Sequence, residues 1–184
     1  MEDETGWSRL AAPALHAWAE QDQPLRLVEQ AVARDDPDQR AFACSGLLLP
    51  ETDEVWLRFL DGRPISAVTT TFLDWCGDEA AGRGKTALVL IWDNASWQGS
   101  QAVRIWIRNH NRQVKASRRG VRLIICPLPV KRPWLNPIEP KWRHTKRRVI
   151  EPTRLLGARE LAQRVCDALD CAYHDHIPIP ENVA

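Results

Sequence analysis

The chain has 184 residues, of which 44% are hydrophobic and 27% are charged, and its formal net charge is +1. This length and composition predict one globular domain and exclude collagen-like, coiled-coil and wholly disordered proteins. The longest unbroken apolar run, Ala87–Trp92, is far shorter than the roughly 20 residues that a membrane-spanning helix needs. Five cysteines, never spaced as CxxC, favour reduced thiols that pack as small hydrophobic side chains, and hence a cytoplasmic location.

The first half of the chain predicts mainly antiparallel strands. The run over residues 55–60 ends in Asp61-Gly62, a dipeptide that is typical of a hairpin. The predicted segments, in chain order, are helical fragments or a short strand within residues 10–34, a turn at 35–38, strands over 42–49, 55–60 and 65–68, and a helix over 69–81.

The second half alternates between strands and helices. The predicted segments are a buried strand over residues 86–93, a helix over 100–118, a buried strand over 121–126, a proline-rich loop over 127–134, and helices over 137–149 and 158–173. Together the two halves predict an α/β fold, with a mixed sheet flanked by helices on both faces. Such a sheet places its ligand site at the carboxyl ends of parallel strands. We expect one domain over residues 1–176 and a flexible tail over 177–184.

Opposite charges are concentrated in different parts of the chain. Residues 1–60 hold 12 acidic and 5 basic side chains, whereas residues 104–154 hold 15 basic and 2 acidic ones. This asymmetry indicates a polyanionic partner such as nucleic acid, although a solvated basic face explains the charge alone equally well.

Two acids stand where chemistry is expected. Asp93 is the first polar residue after a buried strand, a position that suits a ligand to a hard cation, although Asp-Asn pairs also begin turns. Glu139 follows Asn136, which suits a helix N-cap, and Pro137, which suits the first helical position, so Glu139 could simply complete a capping box. Two prolines and two tryptophans nevertheless restrict the backbone around Glu139 more than a cap requires, and a metal ligand needs that rigidity.

Basic residues surround these acids. Four of them recur at three- and four-residue spacing in the helix predicted over residues 100–118, where like charges destabilise an isolated helix by about 0.2–0.5 kcal/mol per pair. A bound phosphate backbone would relieve that repulsion. The DNA-binding candidates are Arg104, Arg108, Arg112, Lys115, Lys131, Arg132, Lys141, Arg143, Lys146 and Arg147.

Two long segments, LIWDNASW over residues 90–97 and WLNPIEPKW over residues 134–142, resemble the DDE transposases of bacterial insertion sequences. The resemblance is to the insertion sequence 630 group, relatives of the mariner-like elements, and it extends over nearly the whole chain, including DETGWSRL at residues 3–10. It implies a ribonuclease-H-like core whose catalytic acids are Asp3, at the end of the first strand, Asp93 and Glu139. The supporting motif residues are Asn94, Trp97, Asn136, Pro137 and Trp142.

The resemblance also implies an activity and its partners. The three acids would hold two Mg²⁺ ions, for which Mn²⁺ can substitute. Water would attack a phosphodiester at a transposon end, and the freed 3′-hydroxyl would then attack target DNA. The implied partners are transposon-end and target DNA and a second copy of the chain in a homodimer, with no membrane and no small-molecule substrate. The implied location is the bacterial cytoplasm.

The sequence departs from the family pattern in three respects. Family members carry a helix-turn-helix region ahead of the core, and we expect none in this sequence. Only Met1 and Glu2 precede Asp3, so we expect a truncated first strand. Gln98 stands where many relatives have histidine. A decayed fragment, a misplaced start codon and a frameshifted second reading frame all explain these departures, and the alternative function is a DNA-binding remnant that does not cut.

Overall fold

The computed structural model describes residues 1–10, 31–92, 95–129, 135–149, 151 and 154–179. The elements in these ranges are β1 (Glu2–Ser8), β2 (Ala41–Leu49), β3 (Glu54–Leu60), α1 (Ser66–Gly82), β4 (Ala87–Trp92), α2 (Gln101–Ser117), β5 (Arg122–Pro127), α3 (Ile138–Val149) and α4 (Ala158–Leu169). Most of the fragments predicted within residues 10–34 lie outside the described residues. None of the helices in the described ranges is long and apolar enough to cross a membrane.

The strands form a mixed arrangement, as predicted. β1 pairs antiparallel with β2, and β2 pairs antiparallel with β3. β4 pairs in parallel with β5, and β1 contacts β4 where the two sheets meet. The parallel pair therefore lies beside the strand that carries Asp3.

Helices cover both faces of the antiparallel sheet, which confirms the predicted layers. Successive side chains of a strand point to opposite faces, and neighbouring leucines of β2 show the result. Leu47 belongs to a core that it shares with α1 and α2, whereas Leu48 belongs to a second core that it shares with α3 and α4. Each core joins the antiparallel sheet to one helix pair.

The predicted hairpin at Asp61-Gly62 and the predicted strand over residues 65–68 are wrong. The hairpin between β2 and β3 turns at residues 50–53, where Asp53 adopts a positive φ of 59°. After β3 the chain enters α1, whose extended N-cap is Ile65. The β-branched Val68 is fully buried in that helix, so packing overrides its preference for strands.

β1 is not the short remnant that the sequence predicts. It has seven residues and pairs with β2 along its whole length, and Asp3 is its second residue rather than its last. Most of the β1 residues that pair with β2 follow Asp3 in the sequence rather than precede it. Trp7, near the far end, is buried in the core beneath α3 and α4.

Two smaller expectations also change. Ile177, predicted to begin a flexible tail, is buried and pairs with the end of β3, so the packed chain reaches at least Ile179, and residues 180–184 lie outside the described residues. α4 ends at Leu169, four residues before the predicted end, where Asp170 takes a left-handed conformation.

The cysteines are buried less uniformly than predicted. Cys44, Cys76 and Cys166 are buried, and burial raises the pKa of the Cys44 thiol to about 12, which makes it unreactive. Cys171 is half-buried, and Cys126 on β5 is exposed. Because β4 and β5 leave one face of their sheet open, Cys126 does not pack as a core side chain.

A buried arginine ties the end of β1 to two distant segments. The Arg9 guanidinium donates to both carboxylate oxygens of Asp36, at 3.0 and 2.8 Å, and to the Leu156 carbonyl at 2.6 Å. Its hydrogen bonds hold the pKa of Asp36 below the ordinary value of 3.8. The neighbouring Asp38 accepts from the Ala158 amide at 2.8 Å and so caps α4 from outside the helix.

We expect Asp36→Asn to lower the melting temperature at neutral pH and to lose this effect in acid. A carboxyl whose pKa is lower in the folded chain than in the unfolded one stabilises the fold above the unfolded value, and that contribution disappears as the pH falls through the folded value. The difference in melting temperature between parent and variant should therefore shrink below about pH 4. Thermal melts across a pH series measure it.

Asp35→Asn is the matched control, because it removes an exposed carboxylate from the adjacent position. Its melting temperature should stay near that of the parent throughout. A gap for Asp36→Asn that is as large in acid as at neutral pH would contradict the assignment.

Candidate active site

One cleft holds two of the three predicted acids. It has a volume of about 480 Å³ and opens between β1, the segment after β4, and α3. Its lining residues are Asp3, Glu4, Thr5, Ala95, Trp97, Glu139, Trp142, Arg143 and Lys146. Asp93 and Asn94 lie outside the described residues, and the chain resumes at Ala95 on the cleft wall. Strands and a helix that are remote in sequence therefore bring Asp3 and Glu139 together.

The carboxylate of Asp3 is held by a buried tryptophan. Asp3 is 8% exposed, and the indole Nε1 of Trp142 donates to its Oδ2 at 3.1 Å. Gly46 makes this contact possible, because it pairs with Asp3 across β1 and β2 and leaves room for the indole. A Cβ at Gly46 would stand 2.5 Å from Cη2 of Trp142, a distance at which atoms overlap. The Trp142 indole thus fixes the position of one carboxylate oxygen of Asp3.

Glu139 lies on the same face of α3 as Trp142, three residues earlier, so one helix carries both the acid and the residue that holds Asp3. The capping box is not formed. Asn136 Oδ1 accepts weakly from the Ile138 amide at 3.4 Å, Asn136 Nδ2 donates to the Glu2 carbonyl at 3.4 Å, and α3 begins at Ile138 rather than Pro137. Within the described ranges, no hydrogen bond or ion pair engages the half-buried Glu139 carboxylate. It is free to bind a ligand.

The other face of β1 carries two acids that the sequence analysis missed. The Trp97 indole donates to Glu4 at 3.0 Å, and the Gln98 amide donates to both Glu2 and Glu4 at 2.8 Å. Glu2 and Gln98 are fully buried. Strand alternation around Asp3 would have placed Glu2 and Glu4 together, but nothing in the sequence shows that Trp97 and Gln98 meet them.

The predicted basic residues separate into groups. Arg143 and Lys146 line the cleft with the acids, whereas Lys141 donates to Asp53 at 2.7 Å and faces a different groove. Arg147 is exposed on α3. Arg104, Arg108, Arg112 and Lys115 are all exposed on α2, which buries Val103 and Ile107 of its predicted apolar face. Lys131 and Arg132 lie outside the described residues.

This arrangement can bind a hard cation and an anion side by side. Carboxylate oxygens are the ligands that Mg²⁺ prefers, and the adjacent arginine and lysine favour phosphate. Among the residues with described positions, no cluster of three or more potential metal ligands occurs. A complete site therefore needs a ligand from outside that set.

Comparisons with known proteins agree with this architecture. A family model described as DDE superfamily endonuclease matches residues 2–161. The Mos1 transposase paired-end complex with left transposon end is similar at a TM-score of 0.65 and 12% identity, over 93% of this chain and 47% of that chain. The Mos1 strand transfer complex is similar at a TM-score of 0.59 and 13% identity, over 93% and 46%. Curated protein sequences give no match.

The similarity to the Mos1 structures confirms the ribonuclease-H-like fold. The chain spans about half the length of those structures.

We expect Gly46→Ala to destabilise the fold by about 1–3 kcal/mol, because the added methyl group overlaps the Trp142 indole and overpacks the core. Urea denaturation at neutral pH measures the change in the free energy of unfolding.

Gly77→Ala is the matched control. A Cβ at Gly77 meets no atom within 4 Å, and alanine is the better helix former by about 1 kcal/mol, so this variant should be neutral or slightly more stable. Equal stability of Gly46→Ala and the parent would show that Trp142 does not need the space at Gly46.

Proposed function

Because the chain belongs to the DDE superfamily endonuclease family, we propose that it is the catalytic core of a DNA transposase, which cuts transposon ends and joins the cut strand to target DNA. The observation that carries the proposal is the shared cleft. Asp3 and Glu139 line it together, and Ala95 brings the chain that follows Asp93 to its wall. The catalytic acids are Asp3, Asp93 and Glu139.

The donor set fits divalent metal ions. The Asp3 carboxylate accepts from the Trp142 indole, the Glu139 carboxylate has no partner in the described ranges, and both line the cleft with oxygens of the kind that bind hard cations. We propose Mg²⁺, with Mn²⁺ as its substitute, held by Asp3, Asp93 and Glu139. When bound, two such ions neutralise charge on a phosphodiester and activate the attacking oxygen.

The protein's own part is to position the DNA backbone. Arg143 and Lys146 line the cleft beside the acids and can neutralise phosphates next to the cut bond. The exposed basic residues of α2 offer a second contact for the DNA. A strand held at these two places would have one phosphodiester fixed at the carboxylates, and such positioning is a large part of phosphoryl-transfer catalysis.

We further propose a bacterial insertion-sequence origin in the insertion sequence 630 group, a homodimeric enzyme, and a cytoplasmic location with association to the nucleoid on DNA binding. The segments over residues 90–97 and 134–142 support the origin. The similar Mos1 structure is a complex with a transposon end, which supports DNA as the partner.

We expect the purified chain to nick supercoiled plasmid when Mn²⁺ or Mg²⁺ is supplied and to stop when the metal is chelated. Glu139→Ala and Asp93→Ala should each reduce nicking by about 100-fold or more, because each removes a carboxylate that the reaction needs. Gel separation of nicked from supercoiled plasmid measures the rate.

Glu51→Ala is the control, since Glu51 is an exposed acid in the turn between β2 and β3 and should leave the rate unchanged. Full metal-dependent nicking by Glu139→Ala would refute the proposed role of the acids. DNA binding without any nicking by the parent would favour the alternative, a DNA-binding fragment that does not cut.

We expect reversal of Arg104, Arg108 and Arg112 to glutamate to weaken DNA binding and reduce its dependence on salt. Each phosphate contact contributes about −0.9 to the slope of log K against log salt concentration, so three lost contacts should flatten the slope by about 3. Fluorescence anisotropy of labelled duplex DNA across a salt series measures it.

The matched variant reverses Arg34, Arg40 and Arg63, which are exposed elsewhere, and changes the net charge by the same amount. It should keep the parent slope. Equal slopes for the two triple variants would mean that net charge, rather than the face of α2, determines binding.

A further inference from the structure

Three hydrogen bonds between buried or half-buried groups join β1 to the segment that follows β4. Trp97 Nε1 donates to Glu4 Oε1 at 3.0 Å. Gln98 Nε2 donates to Glu2 Oε2 and to Glu4 Oε2, both at 2.8 Å, so a single amide group connects two carboxylates. These bonds span more than 90 residues of sequence. Such long-range hydrogen bonds hold the segment after β4 against β1.

The glutamates that accept these hydrogen bonds are the neighbours of Asp3 in β1. Asp3 stands between Glu2 and Glu4 in the strand and points to the opposite face, where Trp142 holds it. In the segment after β4, Trp97 and Gln98 follow Asp93 by four and five residues, and Ala95, two residues before Trp97, lines the cleft. β1 is therefore held from both faces at the level of its catalytic acid.

We propose that Trp97 and Gln98 are positioning residues for the metal site. They fix the segment that follows β4 against β1, at the wall of the cleft that holds Asp3. This inference rests on the proposed function, because it assigns a role toward the metal of that site. Neither residue is a ligand. Both act through Glu2 and Glu4, whose carboxylates accept their hydrogen bonds.

The chemistry of the anchor explains why polar residues are used. Glu2 and Gln98 are fully buried, and a buried carboxylate requires hydrogen-bond donors. Both hydrogens of the Gln98 amide are used, whereas its Oε1 has no hydrogen-bond partner among the described residues. The side chain thus serves as a neutral double donor. An apolar side chain at either position would remove donors from these acids and release the segment from β1.

The decisive variant is Trp97→Phe, which removes the indole N–H and keeps an aromatic ring. Trp56→Phe is its matched control, because Trp56 Nε1 also donates to a glutamate, Glu54, at 2.9 Å, but outside the cleft. Binding of Mn²⁺ is followed by the paramagnetic resonance signal of the free ion, without any assay of activity. Outer residues that orient metal ligands typically contribute 10–100-fold to affinity. We expect Trp97→Phe to weaken Mn²⁺ binding about tenfold and Trp56→Phe to bind as the parent does.

Gln98→Met provides a second test that does not depend on the ring, since it keeps the length of the side chain and removes both donors. It should weaken Mn²⁺ binding at least as much as Trp97→Phe. Circular dichroism melts show which variants fold. If both variants fold and bind Mn²⁺ with the parent affinity, the positioning role is wrong while the proposed function stands. The parent should bind Mn²⁺, and Asp3→Asn should abolish that binding. If the parent binds no Mn²⁺, or if Asp3→Asn binds it as well as the parent does, the proposed metal site is wrong, and this inference is wrong with it.

Discussion

The fit of the Trp142 indole against Gly46 is the contact on which the rest of the candidate site depends. With no side chain at Gly46, α3 lies close enough to the antiparallel sheet for the indole to donate to Asp3. The same approach places Glu139, one turn earlier, over the same cleft. The separation between a strand acid and a helix acid is thus determined by the absence of one methyl group from the neighbouring strand, and core packing and site geometry have a common origin.

β1 combines two kinds of burial. Its far end contributes Trp7 to the core beneath α3 and α4, while its near end carries three consecutive acids, of which Glu2 and Asp3 are buried and Glu4 is half-buried. Burying acids is unfavourable unless donors meet them, and here the donors come from both faces: an indole from α3, and an indole and an amide from the segment after β4. The arrangement makes β1 rigid where chemistry is expected. Apolar packing would stabilise this part of β1 but would not orient its carboxylates.

Much of the architecture could be predicted from the sequence because the spacing of apolar residues indicates which side chains are buried. The apolar runs of β4 and β5 and the helical spacing of apolar residues in α2 predicted these three elements correctly. One failure arose where tertiary packing decides: Val68 has a strand preference but is buried in α1. For the site, the motifs identified Asp3 and Glu139 as candidates that share a cleft. Gly46, Glu2 and Glu4 were missed because their importance depends on contacts between remote segments, and the catalytic roles of Asp3, Asp93 and Glu139 stay predictions.

The return of the chain to the end of β3 has a consequence for self-association. Ile177 forms a parallel bridge with Leu60, and its amide and carbonyl bond with Phe59 and Asp61. An open strand edge presents unpaired donors and acceptors to any extended chain that approaches it, including another copy. By occupying the last positions of this edge with its own backbone, the protein shortens the stretch of β3 that another chain could pair with.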